Sequence, residues 1–578
     1  MLELVGLAPE PWLTAGWRRR AVAMRARLGW AEHGAVVRVH AGGASLALEA
    51  PCDCLFLATE VNEWALGATL LEHDPGRWRG LEAALLAAAL EEASDPATVI
   101  PPVLDERRAF ERFATLAARE ARPTLRALVA TAAARALAVV LDDDALTLGS
   151  GSGGASYALG ALPAPAEVPW PELREVPTAL VTGSNGKTTT VRLIAACLER
   201  AGRRAGFSCT DGVFVAGQLV ASGDYSGPAG TRLVLRDART EAAVLETARG
   251  GILRRGIAVT RAPAAVVTNV SSDHFGEYGI DDLEGLADVK LSVAALVPAD
   301  GLLVLNADDA LLAARAARLA ARFGRCPPLG WFALDDGHAA LVRHRAAGGA
   351  TCGVRDGSLT LARAGARHDL GRVAALPLTV GGSASYNVAN LAGAALAAAA
   401  LGVDPATIAL VYAAFGAEPG DNAGRLMRYR FDGIEVLVDY AHNPEGLRGL
   451  LGVAERLRAP DGRLALLLGH AGNRQDEDIV ALARVAAGFR PDLVVIKENE
   501  AQLRGRAPGE VPRILKAALL AAGLPASALP VCASELEAAR HALGWARAGD
   551  VLALPVHSGA ARAAVLGLID ARRRAPRR

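Results

Sequence analysis

The chain has 578 residues, too many for one compact core when a domain takes roughly 150 residues. Hydrophobic residues make up 52% and charged residues 21% of the chain, which excludes a disordered chain and predicts folding throughout. The 62 basic residues balance the 62 acidic ones, so no overall field recruits nucleic acid or an anionic membrane, and an anionic ligand needs a local site.

The first part of the chain predicts a mixed α/β domain at residues 1–172. Apolar alternation indicates short strands, and longer apolar patterns indicate helices. A Gly-rich stretch and then a Pro-rich stretch from Leu162 to Pro171 are typical of a linker. The predicted elements are strands Ala35–Val39 and Leu46–Leu48 and helices Val61–Leu71 and Leu81–Glu92.

The second part, residues 173–423, alternates short apolar strands with helical patterns, which predicts a parallel sheet covered by helices. The longest charge-free run, Val373–Val403, is long enough to span a bilayer. Its Pro, Gly, Ser and Asn residues instead favour a strand, a turn and a buried Ala-rich helix, so we expect no membrane segment. The predicted strands are Ala179–Thr182, Ala242–Glu246, Ala264–Asn269 and Leu302–Asn306.

The third part, residues 424–578, repeats this alternation and predicts a doubly wound α/β domain. The predicted strands are Glu435–Tyr440, Leu464–Leu468, Leu493–Lys497 and Val551–Leu554. No apolar stretch of signal-peptide type follows the basic residues Arg18–Arg20 near the start. The expected fold class is therefore three α/β domains in a cytoplasmic protein, with a P-loop in the central domain.

A glycine loop follows the first strand of the central domain and leads into a helix. Its glycines let backbone amides surround a phosphate, and the helix N-terminus adds partial positive charge. Lys187 would reach the outer phosphates, and the Thr188 hydroxyl would ligate magnesium. The alternative is a connector with an incidental lysine, because the loop is shorter than the usual motif. The predicted phosphate-binding residues are Thr182, Gly183, Ser184, Asn185, Gly186, Lys187, Thr188 and Thr189.

The same domain offers candidates for metal and base binding. Glu246 ends a predicted strand, and His274 follows another; both are candidate magnesium ligands. Alone, Glu246 could equally cap a helix and His274 could be an ordinary loop histidine. Asn306, Asn387 and Asn390 are candidates for holding the base, with helix capping as the alternative.

Only four of the 62 basic residues are lysine, namely Lys187, Lys290, Lys497 and Lys516. Wherever a generic cation suffices, this chain uses arginine. Each lysine is therefore a candidate for chemistry that a guanidinium cannot perform.

Together these residues resemble the Mur ligase superfamily and are most similar to the C-terminal, Mur-like half of the cyanophycin synthetases. The resemblance covers roughly residues 175–578. The general motifs are Thr182–Thr189, Asp273–His274, Lys290, Asn306–Asp309, Asn387 with Asn390, Gly424–Leu426 and Asp439–Pro444. The narrower ones are Thr210–Gly212, Ser222–Pro228, Glu246–Leu253 and Arg474–Asp478.

The resemblance implies a role for each matching position. Gly183 to Thr189 would bind the ATP phosphates, Thr188 and Glu246 one magnesium ion, and His274 a second. Lys290 falls where many family members carry a carbamylated lysine; an exposed helix lysine is the alternative. Asn387 and Asn390 would approach the base. Arg425 and Asp439 would reach the ATP from the third domain, with His442 close by, and domain closure would complete the site.

The resemblance also implies an ADP-forming ligase that joins a carboxylate to an amine through an acyl phosphate, for example by adding Arg to an acidic peptide or amino-acid acceptor. The expected partners are a small-molecule or peptide acid and an amino acid, and a homo-oligomer is left open. A catalytically inactive ATP-binding partner of another ligase is one alternative, and a P-loop ATPase coupled to motion is a second. Residues 1–172 are too few for the ATP-grasp module that precedes the Mur-like half of cyanophycin synthetases.

Overall fold

The structure of the chain, a computed structural model, describes residues 1–5, 10–30, 34–40, 42–92, 99, 101–272, 275 and 277–574. These residues divide into two compact units. The first contains the described residues of 1–150, 154–175 and 275–285, and the second contains residues 151–153, 176–272 and 286–574.

The first unit is a mixed α/β assembly with two small antiparallel sheets, of order β1-β3-β2 and β4-β5-β6. Buried Trp17, Trp64 and Phe113 lie in the core between its first sheet and its helices. The predicted strands and helices are all present. The elements are β1 Leu2–Val5, α1 Pro11–Arg27, β2 Ala35–His40, β3 Gly43–Leu48, α2 Leu55–His73, α3 Leu81–Glu92, α4 Glu106–Glu120, α5 Pro123–Ala134, β4 Val139–Leu141, β5 Ala145–Leu148 and β6 Ala155–Ala158.

The second unit begins with a sheet of eleven strands, of order β10-β9-β8-β11-β7-β12-β13-β14-β15-β16-β17. Strands β8 to β15 in this order pair parallel, and an antiparallel hairpin extends each edge. The strands are β7 Thr178–Thr182, β8 Ala205–Cys209, β9 Gly212–Val215, β10 Gln218–Ser222, β11 Ala242–Glu246, β12 Ala264–Val267, β13 Leu302–Asn306, β14 Leu329–Asp335, β15 Ala350–Arg355, β16 Ser358–Arg363 and β17 Ala366–Arg372.

Helices cover this sheet, and β7 lies at its centre with all five residues buried, as expected for a strand covered on both faces. Helix α13 is rich in alanine, whose small side chain lets it approach α6 and the sheet closely. The helices are α6 Lys187–Arg200, α7 Pro228–Arg236, α8 Arg249–Arg255, α9 Leu283–Lys290, α10 Ala310–Ala316, α11 Leu319–Phe323, α12 Ala339–Ala346, α13 Ser385–Ala400 and α14 Pro405–Ala414.

A second sheet follows within the same unit, of order β18-β19-β23-β20-β21-β22, and it is parallel except for β18. Its elements are β18 Met427–Phe431, β19 Ile434–Asp439, α15 Pro444–Leu457, β20 Leu464–Leu468, α16 Asp476–Gly488, β21 Leu493–Lys497, α17 Glu510–Ala521, β22 Val531–Cys532, α18 Glu535–Trp545, β23 Val551–Pro555 and α19 Gly559–Arg574. The predicted fold class is confirmed, with a parallel-sheet central part and a parallel-sheet C-terminal part.

The prediction of a strand at the start of Val373–Val403 is wrong. Residues 373–375 and 377–379 form two short 3₁₀ turns, because Pro377 lacks a ladder N–H and Val380 has a left-handed φ of 52°. The Ala-rich helix of this segment is α13, as predicted. No helix in the described part of the chain is both long and apolar enough to cross a bilayer.

Candidate active site

The glycine loop lies at the carboxyl end of β7 and is held by its neighbour β12. The φ angles are +146° at Gly183 and +82° at Gly186, and a Cβ at Gly183 would overlap the hydroxyl of Thr268. That hydroxyl donates to the Asn185 carbonyl at 2.6 Å, and Ser184 N–H donates to the Asn269 carbonyl at 2.9 Å. Only glycine takes this path without strain, and the two hydrogen bonds hold the loop against the residues that follow β12.

Lys187 begins α6, directly behind the loop. Its Nζ donates to the Ser184 carbonyl at 3.0 Å, which keeps the ammonium over the loop. The helix N-terminus supplies unpaired N–H groups and partial positive charge at the same place. Loop, lysine and helix end therefore form a site suited to an oligophosphate.

Glu246 ends β11 and is 1% exposed. Its carboxylate accepts hydrogen bonds from Thr188 Oγ1 at 2.7 Å and from Thr210 Oγ1 at 3.1 Å. A buried carboxylate beside two hydroxyls is a set of hard oxygen donors of the kind that Mg²⁺ prefers. The donor chemistry thus fits a magnesium ion beside the loop. Within the described residues, no group of three or more His, Cys, Asp and Glu side chains could hold a metal.

Arg425 and Asp439 approach this place from the C-terminal sheet. Arg425 Nη2 donates to Thr188 Oγ1 at 3.3 Å, and its guanidinium lies 4.3 Å from the centre of the Tyr440 ring. Asp439 ends β19 and accepts from the N–H groups of Leu426 at 2.6 Å and Ala441 at 2.7 Å. Burial raises the pKa of Asp439, and Arg425 opposes that rise. These bonds tie the backbone that directly follows Arg425 to the segment 439–441.

A direct hydrogen bond joins the glycine loop to the C-terminal sheet. Asn443 Nδ2 donates to Asn185 Oδ1 at 2.9 Å, while Asn443 Oδ1 caps α15 by accepting from Gly446 N–H at 2.9 Å. Asn443 is 3% exposed and Asn185 is half-buried, so this contact is partly shielded from water.

Asp211, which directly precedes β9, lies among arginines from three places in the chain. Its Oδ2 is 2.9 Å from Arg192 Nη2 and 4.0 Å from Arg425 Nη2, and its Oδ1 is 2.8 Å from Arg562 Nη2. Burial by itself raises the pKa of Asp211, but Arg425, Arg192 and Arg562 outweigh burial and hold it below its usual value. We call these four residues the Asp211 cluster. One carboxylate against three guanidinium groups leaves a positively charged region beside Thr188.

A cavity of about 540 Å³ opens between the two sheets of this unit. The glycine loop from Ser184 to Thr189 contributes to its wall, together with Glu246, Arg425 and Asp439. Further predicted site residues in the wall are Asn306, Asn387, Asn390 and His442. One cavity therefore brings together most of the residues that the sequence singled out.

The predicted base-binding residues are engaged within the protein. Asn387 Nδ2 donates to the Leu378 carbonyl at 3.0 Å, and Asn390 Nδ2 donates to Asn387 Oδ1 at 3.1 Å. Asn306 Nδ2 donates to the Thr268 carbonyl at 3.0 Å. A Cβ at Gly186 would overlap Asn390 Oδ1, which places Asn390 against the glycine loop. Contact of these amides with a base stays a prediction.

Three predicted site residues do not line the cavity, and a fourth lies outside the described part of the chain. Thr182 and Gly183 are at the end of β7 and the start of the loop and do not line the cavity. Lys290 ends α9, is 4% exposed and does not line it either. His274, predicted as a magnesium ligand, lies outside the described residues.

Arg192 and Arg562 were not found from the sequence. Asp211 lies in the Thr210–Gly212 motif, which was a signal, but its partners are 19 and 351 residues away in the chain. In a chain so rich in arginine, no sequence pattern distinguishes these two arginines from the others.

Comparisons with known proteins agree with this geometry. The Mur ligase middle domain matches residues 181–338, and the Mur ligase glutamate ligase domain matches residues 424–554. Cyanophycin synthetase of Crocosphaera subtropica is 36% identical over 340 residues, 59% of this chain and 38% of that protein. The UDP-N-acetylmuramoyl-L-alanyl-D-glutamate–2,6-diaminopimelate ligase of Gloeobacter violaceus is 30% identical over 390 residues, 66% of this chain and 72% of that protein.

Folylpolyglutamate synthase of Mycobacterium tuberculosis, solved with ADP, has a TM-score of 0.51 and 17% identity over 70% of this chain and 91% of its own. This shows a likeness of fold. The chain spans about two fifths of the length of the cyanophycin synthetases that it matches.

Fold and site together define a P-loop α/β protein in which a second parallel-sheet domain contributes to the wall of the phosphate-loop cavity. The chain belongs to the Mur ligase family. Its similarity to cyanophycin synthetase extends over 59% of the chain.

Proposed function

We propose that the chain is an ATP-dependent ligase that joins a carboxylate to an amine and releases ADP and phosphate. One observation carries the proposal. In a member of the Mur ligase family, a single cavity is lined by Lys187 and its loop, by Glu246, and by Arg425 and Asp439 of the C-terminal sheet. A ligase needs such groups from a second domain to enclose its acyl phosphate and exclude water.

The glycine loop is proposed to bind the ATP phosphates. Its backbone N–H groups and the start of α6 would surround the phosphate oxygens. Lys187 would exchange its hydrogen bond to the Ser184 carbonyl for one to the outer phosphates. Asn306, Asn387 and Asn390 line the same cavity and are proposed on the nucleoside side, and His442 is proposed beside the nucleotide.

Thr188 and Glu246 are proposed to hold Mg²⁺, with His274 as ligand of a second ion. A bound ion would neutralise charge on the phosphate oxygens and orient them. Glu246 is already turned toward Thr188 by a 2.7 Å hydrogen bond. The chain's own contribution is thus a preformed pair of oxygen ligands.

The reaction is proposed to run in two steps. A carboxylate oxygen of the acceptor attacks the γ-phosphorus, the bond to the β–γ bridging oxygen breaks, and ADP leaves. Lys187 and Arg425 would stabilise the charge on the transferring oxygens. The amine nitrogen then attacks the acyl carbon of this acyl phosphate, phosphate leaves, and the nitrogen loses a proton. The C-terminal sheet would exclude water that would otherwise hydrolyse the acyl phosphate.

Lys290 is proposed to carry a carbamate, formed when its neutral amine adds carbon dioxide. It is buried and is one of only four lysines in the chain, and arginine could not undergo this reaction. Omission of bicarbonate and carbon dioxide from the assay should then lower turnover by the wild type but not by Lys290→Ala.

The acceptor is proposed to be an acidic peptide or amino acid, and the amine an amino acid such as Arg. Excess positive charge in the Asp211 cluster supports an anionic acceptor. The 36% identity to cyanophycin synthetase supports the comparison with that enzyme.

The test is phosphate release by the purified protein with ATP and Mg²⁺ across a panel of acids and amines, each pair also run with one component omitted. We expect release to require both an acid and an amine, and we expect hydroxylamine to yield a hydroxamate from the acyl phosphate. Phosphate release that continues when both the acid and the amine are omitted would indicate an ATPase. Nucleotide binding without turnover on any pair would favour an inactive partner of another ligase.

A further inference from the structure

A buried charged pair lies at the carboxyl end of the C-terminal sheet, outside the cavity wall. Lys497, the last residue of β21, is 0% exposed and forms an ion pair with Glu535, the first residue of α18. Its Nζ also donates to the Pro555 carbonyl at 2.7 Å and lies 3.4 Å from His557 Nδ1. Three acceptors thus surround an ammonium group that has three N–H bonds.

Glu535 uses both of its oxygens. Oε1 accepts from Lys497 and from His557 N–H at 2.9 Å, and Oε2 accepts from Ser558 N–H at 2.8 Å. A buried pair with satisfied hydrogen bonds keeps its geometry, because removing either partner leaves an uncompensated charge. The pair therefore fixes the backbone of residues 557 and 558.

This arrangement also fixes the tautomer of His557. The Ala441 carbonyl beside Nε2 can only accept, so the proton of the neutral ring is on Nε2. Nδ1 then accepts from Lys497 Nζ and from Asn499 Nδ2 at 3.2 Å, and Glu535 Oε1 lies 3.6 Å from Nδ1. Nε2 lies 3.1 Å from the Ala441 carbonyl and donates to it. Burial first, and then the charge of Lys497, lowers the pKa of His557 well below its usual value, which agrees with a neutral ring.

Ala441 belongs to the segment that lines the cavity. Its N–H donates to Asp439 at 2.7 Å, and Asp439 in turn accepts from Leu426 N–H next to Arg425. The His557 ring also meets the Tyr440 ring edge-to-face, with 5.3 Å between centres. His557 thus contacts the wall segment at both Tyr440 and Ala441.

We propose that His557 is a positioning residue, whose Nε2–H, oriented by Lys497 and Glu535, holds residues 439–442 in place for the nucleotide. The inference rests on the proposed function, because it assigns residues 439–442 to the nucleotide site. It also accounts for a lysine in a chain that otherwise uses arginine. Three acceptors lie close around the single nitrogen Lys497 Nζ, an arrangement that fits a compact ammonium better than a planar guanidinium.

Two matched variants test the proposal. In His557→Gln the amide nitrogen reaches the place of Nε2 and can still donate to Ala441, whereas in His557→Asn the side chain reaches only the place of Nδ1. Each variant loses the hydrogen bonds of one ring nitrogen: those at Nδ1 in His557→Gln and the one at Nε2 in His557→Asn. We therefore expect comparable falls in melting temperature. Only His557→Asn should weaken ADP binding, measured calorimetrically without acid or amine, by about tenfold, as expected for one lost buried hydrogen bond.

Equal ADP affinities of the two variants would overturn the inference. If neither variant folds, ¹⁵N-histidine NMR of the wild type decides: a ring protonated on Nε2 and unchanged from about pH 5.5 to 8, across the usual histidine pKa, supports it, and a titrating ring or a proton on Nδ1 refutes it. Failure of the proposed function would be a separate result. The wild type would then turn over no acid–amine pair, but the two variants could still be compared by their ADP affinities.

Discussion

Replacing Asp211 with Asn tests the Asp211 cluster. Asn has the same shape but removes the charge and turns one acceptor oxygen into a donor facing a guanidinium. Loss of one partner of a buried ion pair costs about 3–5 kcal/mol. The Asp211 side chain is 11% exposed and Asn keeps one acceptor, so we expect a loss of about 2–4 kcal/mol in the free energy of unfolding.

The assay is urea unfolding followed by circular dichroism, with Asp237→Asn as the matched control. Asp237 pairs with Arg239 at 2.6 Å, but the Arg239 side chain is 47% exposed, so its removal should cost less than about 1 kcal/mol. If the two variants unfold at the same urea concentration, the cluster does not stabilise the fold and the reasoning fails.

The pH dependence has a definite sign. Burial raises the pKa of Asp211, but Arg425, Arg192 and Arg562 lower it further than burial raises it. A carboxyl whose folded-state pKa is lowered stabilises the fold above its unfolded pKa of about 3.9, and loses that contribution as the pH falls through the folded value. The gap in stability between wild type and Asp211→Asn should therefore be constant above about pH 5 and shrink toward pH 3.

Three further substitutions probe the nucleotide site. Lys187→Ala should lower ATP turnover by about 100-fold or more, since one charged donor to the transferring phosphate is lost, while Lys516→Ala, on α17 and outside the cavity wall, should leave the rate unchanged. Glu246→Gln should raise the Mg²⁺ concentration for half-maximal turnover about tenfold; an unchanged Mg²⁺ titration would contradict the ligand role. Gly183→Ala should destabilise the chain by about 2 kcal/mol or more, measured by thermal unfolding, because its Cβ would overlap Thr268.

The sequence predicted the buried parallel strands best. The predicted bounds of Ala242–Glu246, Leu302–Asn306, Leu464–Leu468 and Leu493–Lys497 agree with the structure. A strand covered on both faces is a continuous apolar run closed by polar or turn residues, so its ends are visible in the sequence. Strands β8 to β10 and β14 to β17 of the eleven-stranded sheet were not predicted. Of these, β9, β10, β16 and β17 pair antiparallel toward the sheet edges, and four of the seven residues of β17 are polar.

The candidate site divides in the same way. The glycine loop and Lys187 are contiguous in sequence, and Glu246 ends a strand that the sequence predicts. These predicted groups meet in the cavity. The Asp211 cluster and the Lys497–Glu535–His557 contacts depend on tertiary folding between distant segments. No spacing rule joins them, although the scarcity of lysine had marked Lys497 for attention.

The first compact unit is discontinuous in sequence, since it includes the described residues 275 and 277–285 from the connection between β12 and α9. Within that unit, Arg38 of β2 donates to the Tyr278 carbonyl, and Gly279 leaves no room for a Cβ beside His40. A truncated protein that starts at residue 173 would keep this connection but lose the strand that contacts it. Inactivity of such a truncation would therefore not show that residues 1–172 bind a substrate. Point substitution of Arg38 in the full chain separates support of the connection from a substrate-binding role.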